Sequence, residues 1–452
     1  MENNAAKLDL DHVWHPYTDM AAYAGEQLMI ERSEGSFVFD ADGTRYFDAI
    51  SGLWNVQVGH GRPELIAAAT EQLSRLAYYP LNGRSHPPAA LLAARLASLA
   101  PGDLNHVFYG TGGAEAVETA IKISRQYWRQ RGYPERTKVI GLDRGWHGCT
   151  IGALSAGGVA EERDPFAPLP TEFPKIPAPY CYHCPLSATP DSCPVETGAA
   201  LTERILSEGP DTVAAFLAEP VLGLAGMVPP TARFWREVQR VCREYRILLV
   251  VDEVAVGFGR TGRMFASEHY DIKPDMLLCA KGITSGYLPL SAVLATTEVF
   301  NAFLGPGREL VHGFTFGGNP VACAVALANL DLIEDERMCT RAEELGRDLL
   351  DSLRAGLTSV PIVGDIRGVG LAIGVELVTD RESGTPLPIA SALCRQLAEH
   401  GVLTRPVGAG NVLPLIPPLT TTATDALAVV DLYCSVIRAA ATNNVSVTEV
   451  ST

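Results

Sequence analysis

Short apolar runs alternate with longer amphipathic segments between about residues 106 and 297, a pattern typical of strand–helix–strand units. Each run is apolar at successive positions, so both faces of each strand should be covered, as in a mainly parallel sheet. The predicted strands span residues 106–109, 138–142, 214–218, 247–251, 276–280 and 290–295. The predicted helices span residues 89–100, 114–128 and 232–244.

The pattern changes after residue 320, where a long helix (321–334) precedes two strands (365–369 and 371–377). A hairpin at residues 35–47 should pack beside them. The predicted fold is α/β, with a mainly parallel central sheet in a large domain and a smaller α+β domain formed by the N- and C-terminal parts. The predicted boundaries are 1–60 for an N-terminal segment packing with the small domain, 61–325 for the large domain and 326–452 for the C-terminal small domain.

One connection differs from the others. Residues 157–196 carry nine prolines, which predict an irregular excursion over the surface rather than helix or strand.

Charge and composition exclude several classes of partner. The 452 residues include 36 Lys and Arg against 52 Asp and Glu, for a net charge of −16, which argues against nucleic-acid binding. The longest aliphatic run, residues 247–251, is far shorter than the roughly 18 residues of a membrane span. The ten cysteines are ordinary usage for this length and fit a reducing compartment. We therefore expect a soluble cytoplasmic protein.

Polar residues close two of the predicted strands. Asp252 and Glu253 follow one, and Lys281 follows the next. Ligands gather at the carboxyl ends of parallel strands, so these side chains should face one crevice. A lysine among apolar and small residues is desolvated, which lowers its pKa and provides the neutral amine that Schiff-base chemistry needs. The alternative is a strand-end lysine in solvent or paired with an acid.

A glycine-rich turn at residues 110–113 lies between a predicted strand and a helix, where backbone amides can hold a phosphate. Glu115 stands where a dinucleotide motif has its third glycine, and the lysine of a nucleoside-triphosphate loop is missing. A desolvated lysine, a carboxylate and a phosphate cradle together suggest pyridoxal phosphate.

These residues resemble the class III pyridoxal-phosphate-dependent aminotransferases of fold type I, and among them the ω-amino acid:pyruvate transaminase group. The resemblance extends from residues 14–18 to residues 413–419. Its most specific parts are residues 251–254 with 257–262, then Lys281-Gly282, then residues 312–320.

The resemblance implies a role for each matching residue. Lys281 would form the Schiff base with the cofactor and then move the substrate proton, and Asp252 would keep the pyridine nitrogen protonated. The remaining implied cofactor contacts are Val254 and Trp146 on the two ring faces, His147 in the same motif as Trp146, the amides of Gly113 and Ala114 on the phosphate, Thr315 from the partner subunit, and Glu219 near the cofactor. Trp146 replaces the commoner Tyr or Phe, and Gly112 stands where serine is frequent.

Two further matches point to the substrate. Trp54, in residues 51–56, would form a pocket wall, and Arg405, in residues 401–406, matches a mobile arginine that pairs with a keto-acid carboxylate and turns away for amines. Tyr17 and Arg260 are further candidates for the same pocket. The alternatives are a core position for Trp54, a surface ion pair for Arg405 and scaffold roles for the other two.

Cys181, Cys184, His183 and Cys193 lie close in sequence and are the raw material of a zinc site. No second Cys-x-x-Cys follows, and adjacent His183 cannot easily join Cys181 and Cys184 on one ion. We therefore expect free thiols and no metal.

The expected function is transfer of an amino group from an ω-amine or amino acid to a keto acid, with pyruvate as the expected acceptor, by a ping-pong mechanism. The partners would be a small-molecule amine donor, a keto-acid acceptor and a second copy of the chain, in a homodimer or a dimer of dimers. The alternatives are a diaminopelargonate-type aminotransferase and a zinc-stabilised, non-catalytic binding protein on the same scaffold.

Overall fold

Sheets flanked by helices form the fold, seen in a computed structural model that describes residues 2–184 and 191–442. Most of the predicted elements are present, with boundaries that differ by at most three residues.

The helices are α1 (Glu2–His12), α2 (Met20–Glu26), α3 (Ser51–Trp54), α4 (Pro63–Arg75), α5 (Pro87–Leu99), α6 (Gly113–Gln130), α7 (Ile151–Ala156), α8 (Ala160–Arg163), α9 (Ala199–Glu208), α10 (Ala232–Tyr245), α11 (Thr297–Asn301), α12 (Pro320–Asp335), α13 (Met338–Leu357), α14 (Ala390–Glu399) and α15 (Ala423–Thr442). The strands are β1 (Ile30–Glu34), β2 (Phe37–Asp40), β3 (Arg45–Asp48), β4 (His106–Gly110), β5 (Lys138–Leu142), β6 (Lys175–Ile176), β7 (Val213–Ala218), β8 (Leu248–Asp252), β9 (Met276–Cys279), β10 (Ser291–Ala295), β11 (Val363–Val369), β12 (Ala372–Asp380), β13 (Thr385–Pro386), β14 (Val402–Leu403) and β15 (Val412–Leu415).

The central sheet has the strand order β4-β10-β9-β8-β7-β5-β6. Strands β5 to β9 pair in parallel, and every residue of β7 and β8 is buried, which confirms the prediction of a mainly parallel sheet covered on both faces. Strand β10 is the exception and runs antiparallel to β4 and β9. The short connection from β9 to β10 holds no crossover helix of the kind that a parallel return needs.

The proline-rich connection is more regular than its composition predicted. It contains α8 and the edge strand β6, in which Lys175 and Ile176 pair with Gly141 and Leu142 of β5. The carbonyl of Pro174 accepts a hydrogen bond from the amide of Gly141 at 3.0 Å. Proline lacks the backbone N–H donor but keeps its carbonyl, so it can accept a hydrogen bond at a sheet edge. The prediction of no regular structure was therefore wrong for this segment.

Two smaller sheets bring the chain's N- and C-terminal parts together. Strands β11, β12, β13 and β15 form one sheet, and β1, β2, β3 and β14 form the other. Strand β14 pairs in parallel with β3, matching Val402 with Phe47. The hairpin predicted at residues 35–47 therefore shares a sheet with a C-terminal strand.

No helix in residues 2–184 and 191–442 is both long and apolar enough to cross a membrane.

Gly346 on α13 offers a test of the packing between α13 and the turn before β12. A Cβ atom at this position would collide with the carbonyl oxygen of Gly370. We expect Gly346→Ala to lower the free energy of unfolding by about 1–3 kcal/mol, as overpacking does. Gly25→Ala is the matched helical control, because a Cβ there meets nothing within 4 Å. Urea unfolding of both variants checks the prediction, and equal stabilities would contradict it.

Candidate active site

Side chains from three neighbouring parallel strands meet at one edge of the central sheet. Glu219 follows β7, Asp252 ends β8 and Lys281 follows β9. All three line one cavity of about 350 Å³. The carboxyl ends of parallel strands lie at the same sheet edge, so the strand order itself brings these residues together.

A strained turn presents Lys281 to the cavity. Its φ of 47° lies in the left-handed region, which residues with a side chain rarely adopt. Buried Asn329 of α12 holds this turn, because its side-chain amide donates to the carbonyls of Gly282 at 2.9 Å and Ile283 at 3.1 Å. Burial lowers the pKa of the Lys281 amine, an effect that the charges of Asp252 and Glu219 oppose. The amine nitrogen lies 5.0 Å from the ring centre of Trp54.

Buried Asp252 is oriented by two donors. Its Oδ1 accepts a hydrogen bond from the amide of Val254 at 3.0 Å, and its Oδ2 lies 2.7 Å from Nδ1 of His147. The other ring nitrogen of His147 is buried and has no hydrogen-bond partner. Since Nδ1 is the nitrogen that faces a carboxylate, it carries the ring hydrogen and donates a hydrogen bond to Asp252.

Buried Glu219 connects the loop after β5 to the loop after β7. Its Oε1 accepts from the amide of Trp146 at 2.8 Å, and its Oε2 accepts from the amide of Gly223 at 3.0 Å. Burial raises the pKa of this carboxyl to about 7, and nearby Asp252 adds to the rise while His147 and the two amides oppose it. Glu219 thereby fixes the backbone that carries Trp146 and His147.

The start of α6 forms an open cradle of backbone amides. Gly112, Gly113 and Ala114 line the cavity, and no side chain caps the helix at Gly112. A Cβ at Gly112 would meet nothing within 4 Å, whereas one at Gly113 would lie 2.7 Å from Val254. Free amides at the N-terminus of an 18-residue helix attract an anion such as a phosphate.

These features fit pyridoxal phosphate. The amides of α6 suit its phosphate, the Asp252 carboxylate suits its ring nitrogen and the Lys281 amine suits its aldehyde. Val254 and Trp146 both line the cavity, as expected for the two walls of a ring site.

Trp54 forms another wall of the cavity and is only 6% exposed. Leu288, Pro289 and Leu290 line the same space and were not predicted as site residues. The sequence signal that could have identified these three residues was the apolar run directly after the lysine turn. That run predicted only the start of a strand.

Three predicted residues lie on the surface, outside the cavity lining. Thr315 and Arg405 are exposed, and Tyr17 is 64% exposed. The guanidinium carbon of Arg405 lies 5.9 Å from the Tyr17 ring centre, and the Tyr17 hydroxyl lies 3.3 Å from Sγ of Cys149. Cys149 follows Gly148, which does line the cavity. A series of contacts therefore runs from Arg405 through Tyr17 to Cys149, the residue after Gly148 of the cavity lining.

Arg260 does not reach the cavity, which corrects its prediction as a substrate residue. Its fully buried guanidinium donates to the carbonyls of Leu371 and Pro417 and to the hydroxyl of Ser51. Burial lowers its pKa to about 9, against the opposing charge of Asp48. The side chain links backbone from the N-terminal, central and C-terminal parts of the chain.

Comparisons with known proteins show the family of this chain. The family model of class III aminotransferases matches residues 20–437. An adenosylmethionine-8-amino-7-oxononanoate aminotransferase of Geobacter sulfurreducens is 41% identical over 425 residues, covering 92% of this chain and 93% of that protein.

Solved structures also match this chain over nearly its whole length. An (S)-enantioselective omega-transaminase from Thermomicrobium roseum has a TM-score of 0.91 and 40% identity, and the match covers 98% of this chain and 99% of that one. An amine transaminase from an uncultivated Pseudomonas species, solved in a PLP-bound form, has a TM-score of 0.88 and 37% identity, with 95% and 98% covered.

Borohydride reduction in the presence of pyridoxal phosphate tests the lysine. We expect the cofactor to become covalently fixed to the peptide carrying Lys281, and Lys281→Ala to release all of it on dialysis. Lys175 is an internal control, because burial lowers its pKa to about 7 but it does not line the cavity. Peptide mass spectrometry checks the prediction, and labelling of Lys175 in place of Lys281 would contradict it.

Proposed function

The chain belongs to the class III aminotransferases, which use pyridoxal phosphate, and on that premise we propose that it moves an amino group from an ω-amine or amino acid to pyruvate. The reaction follows a ping-pong route in which one pocket accepts the donor and the acceptor in turn. The distribution of charged side chains in and around the cavity supports this proposal most directly.

In the described part of the chain, no arginine lines the cavity. An amine donor without a carboxylate can enter this space with no unpaired negative charge. A keto acid brings a carboxylate that needs a cation, and Arg405 would supply it, since contacts through Tyr17 and Cys149 lead from Arg405 towards Gly148 of the cavity lining. An exposed arginine that turns towards the acid and away for the amine would serve both substrates.

Pyridoxal phosphate, when bound, supplies an aldehyde that condenses with amines and a ring that withdraws electrons from the substrate carbon. Lys281 then moves the proton of that carbon with its Nζ. Burial lowers the pKa of this amine, so a larger share is neutral and able to accept a proton near pH 7. The Asn329 bonds to the turn keep the amine in position.

Asp252 would hold a proton on the cofactor's ring nitrogen. The imidazole N–H of His147 and the amide of Val254 leave the carboxylate little freedom to rotate. A charge-assisted hydrogen bond of this kind contributes roughly 1.5–3 kcal/mol. Trp146 and Val254, which line the cavity, would contact the cofactor ring and exclude water from it.

A second candidate has support from the relatives. The Geobacter protein is named for a reaction of adenosylmethionine with 8-amino-7-oxononanoate, and residues 14–18 resemble that group as well. The wall formed by Trp54 and the position of Arg405 favour the ω-transaminase reaction, because both features serve a pocket that alternates between amine and acid.

We also propose a homodimer. Thr315 and Phe316 are exposed beside Tyr78, whose hydroxyl donates to the Thr315 carbonyl at 2.7 Å and whose ring packs on Phe316 at 5.7 Å. An exposed aromatic cluster of this kind is typical of a protein interface. Thr315 would then serve the phosphate of the neighbouring subunit.

A cytoplasmic location completes the proposal. All ten cysteines are free thiols, and six of them are buried. Free thiols persist in reducing compartments.

A donor and acceptor screen distinguishes the two candidate functions. We expect turnover of ω-amines with pyruvate, and no turnover of adenosylmethionine with 8-amino-7-oxononanoate. Formation of alanine from pyruvate measures the first reaction. The opposite pattern would assign the chain to the second candidate.

Arg405→Ala tests the two-substrate pocket. We expect the KM for pyruvate to rise about ten- to a hundredfold, because a lost charged hydrogen bond costs roughly 1.5–3 kcal/mol. The half-reaction with a carboxylate-free amine should change little. Stopped-flow measurement of each half-reaction checks this, with Arg405→Lys as the charge-conserving control. Equal losses in both half-reactions would make Arg405 a scaffold residue.

Phe316→Asp tests the dimer. Burying this new charge against a second subunit should be unfavourable, so we expect monomers that lose pyridoxal phosphate. Leu206→Asp is the matched control, because Leu206 is 56% exposed on α9 and Phe316 is 60% exposed. Sedimentation and bound-cofactor absorbance check the prediction, and a fully active monomer would contradict it.

A further inference from the structure

Three cysteines outside the active site share one small space. Cys181, Cys184 and Cys193 line a cavity of about 10 Å³ together with Glu196. Cys181 is exposed, Cys184 is half-buried and Cys193 is buried. The aminotransferase reaction uses none of them.

Cys181 and Cys184 lie at the two ends of one turn. Cys181 begins a tight turn in which the amide of Cys184 donates to the Cys181 carbonyl at 3.3 Å. In a turn closed by a hydrogen bond between residues i and i+3, the Cα atoms of those two residues lie within about 7 Å of each other. The Cα atoms of cysteines joined by a disulfide lie about 4.4–6.8 Å apart. Tyr180 anchors the turn, because its ring lies 4.8 Å from the Arg367 guanidinium carbon and its hydroxyl donates to Glu376.

Glu196 lines the same cavity as these thiols. It is 2% exposed, and its Oε2 accepts from the hydroxyl of Thr231. Its Oε1 is buried with no hydrogen-bond partner, so no thiol lies within hydrogen-bond distance of that oxygen. Glu196 therefore acts on the thiols through its charge.

A metal ion explains the cluster less well than thiol chemistry does. Within residues 2–184 and 191–442, no three His, Cys, Asp or Glu side chains are placed to hold a metal ion. We propose that Cys181 and Cys184 form a redox-active dithiol, which a low-molecular-weight disulfide such as oxidised glutathione converts to an intramolecular disulfide.

The reaction has two exchange steps. The Cys181 thiol loses its proton to water and its sulfur attacks the small disulfide, forming a mixed disulfide and releasing one glutathione thiolate, which takes up a proton from water. The deprotonated Cys184 sulfur then attacks the Cys181 sulfur and releases the second glutathione thiolate, which takes up the proton that Cys184 gave. Two protein thiols are oxidised, and one disulfide is reduced to two thiols.

The surroundings make this a slow exchange. Burial raises the pKa of Cys181, and the neighbouring Glu196, Cys184 and Cys193 add to the rise. A thiol of raised pKa is mostly protonated at neutral pH, so the pair would respond to sustained oxidation rather than act as a rapid catalyst.

Oxidised glutathione and mass spectrometry of the purified holoenzyme test the proposal. The wild type should yield a bridged peptide joining Cys181 and Cys184, with no lasting glutathione on it. In Cys184→Ser the adduct on Cys181 should persist at least about a hundredfold longer, because the resolving thiol is gone. Cys149 is an internal control, since it is exposed, has no cysteine three residues away and should keep its adduct in both proteins.

A lasting adduct on Cys181 of the wild type would overturn the dithiol, as would a bridge to Cys193. Stoichiometric zinc that protects the thiols until a chelator removes it would overturn it in favour of a metal centre. The wild-type peptide map decides the question if Cys184→Ser fails to fold.

Glu196→Gln tests whether the charge of Glu196 slows the exchange. The amide keeps the volume of the side chain and can still accept from Thr231. Loss of the negative charge should lower the pKa of Cys181 and speed adduct formation on it. Unchanged or slower adduct formation would overturn this part of the proposal.

Discussion

The structure depends on burying two carboxylates, Asp252 and Glu219, beside one lysine amine. An isolated buried charge loses its hydration, so each carboxylate would be costly without hydrogen-bond donors. Glu219 accepts from the amides of Trp146 and Gly223, and Asp252 accepts from the Val254 amide and the His147 imidazole. These hydrogen bonds hold the loops after β5, β7 and β8 together.

Strain at the site is balanced by buried hydrogen bonds. Ser51, Trp54, Lys281 and Ser285 all have positive φ values between 47° and 61°. The Ser51 hydroxyl donates to the Ile416 carbonyl at 2.6 Å, and the Ser285 hydroxyl donates to Asn329 at 2.5 Å. A strained conformation persists only where its surroundings determine it fully. The lysine turn is consequently held by α12, and the Trp54 wall by the C-terminal part of the chain.

The sequence predicted the site residues whose position follows from the order of the strands. It did not predict the location of residues whose position depends on side-chain packing. Asp252, Glu219 and Lys281 could be placed because parallel strands end at one edge, whichever side chains surround them. Arg260 could not be placed, because a motif position does not reveal that a guanidinium turns away to bind carbonyls of Leu371 and Pro417. The surface positions of Arg405 and Tyr17 depend on contacts over hundreds of residues of sequence separation, which periodicity does not encode.

The two buried carboxylates differ in their donors, and this difference gives each a separate task. Asp252 accepts hydrogen bonds from the His147 imidazole and the Val254 amide, and its negative charge would pair with the protonated ring nitrogen of the cofactor. Glu219 is bound by neutral amides alone, and burial raises its pKa to about 7. It can therefore hold a proton near neutral pH. A neutral Glu219 keeps its hydrogen bonds to the Trp146 loop and does not compete with Asp252 for the same cation. The negative charge of the site then stays on Asp252, which would pair with the ring nitrogen of the cofactor.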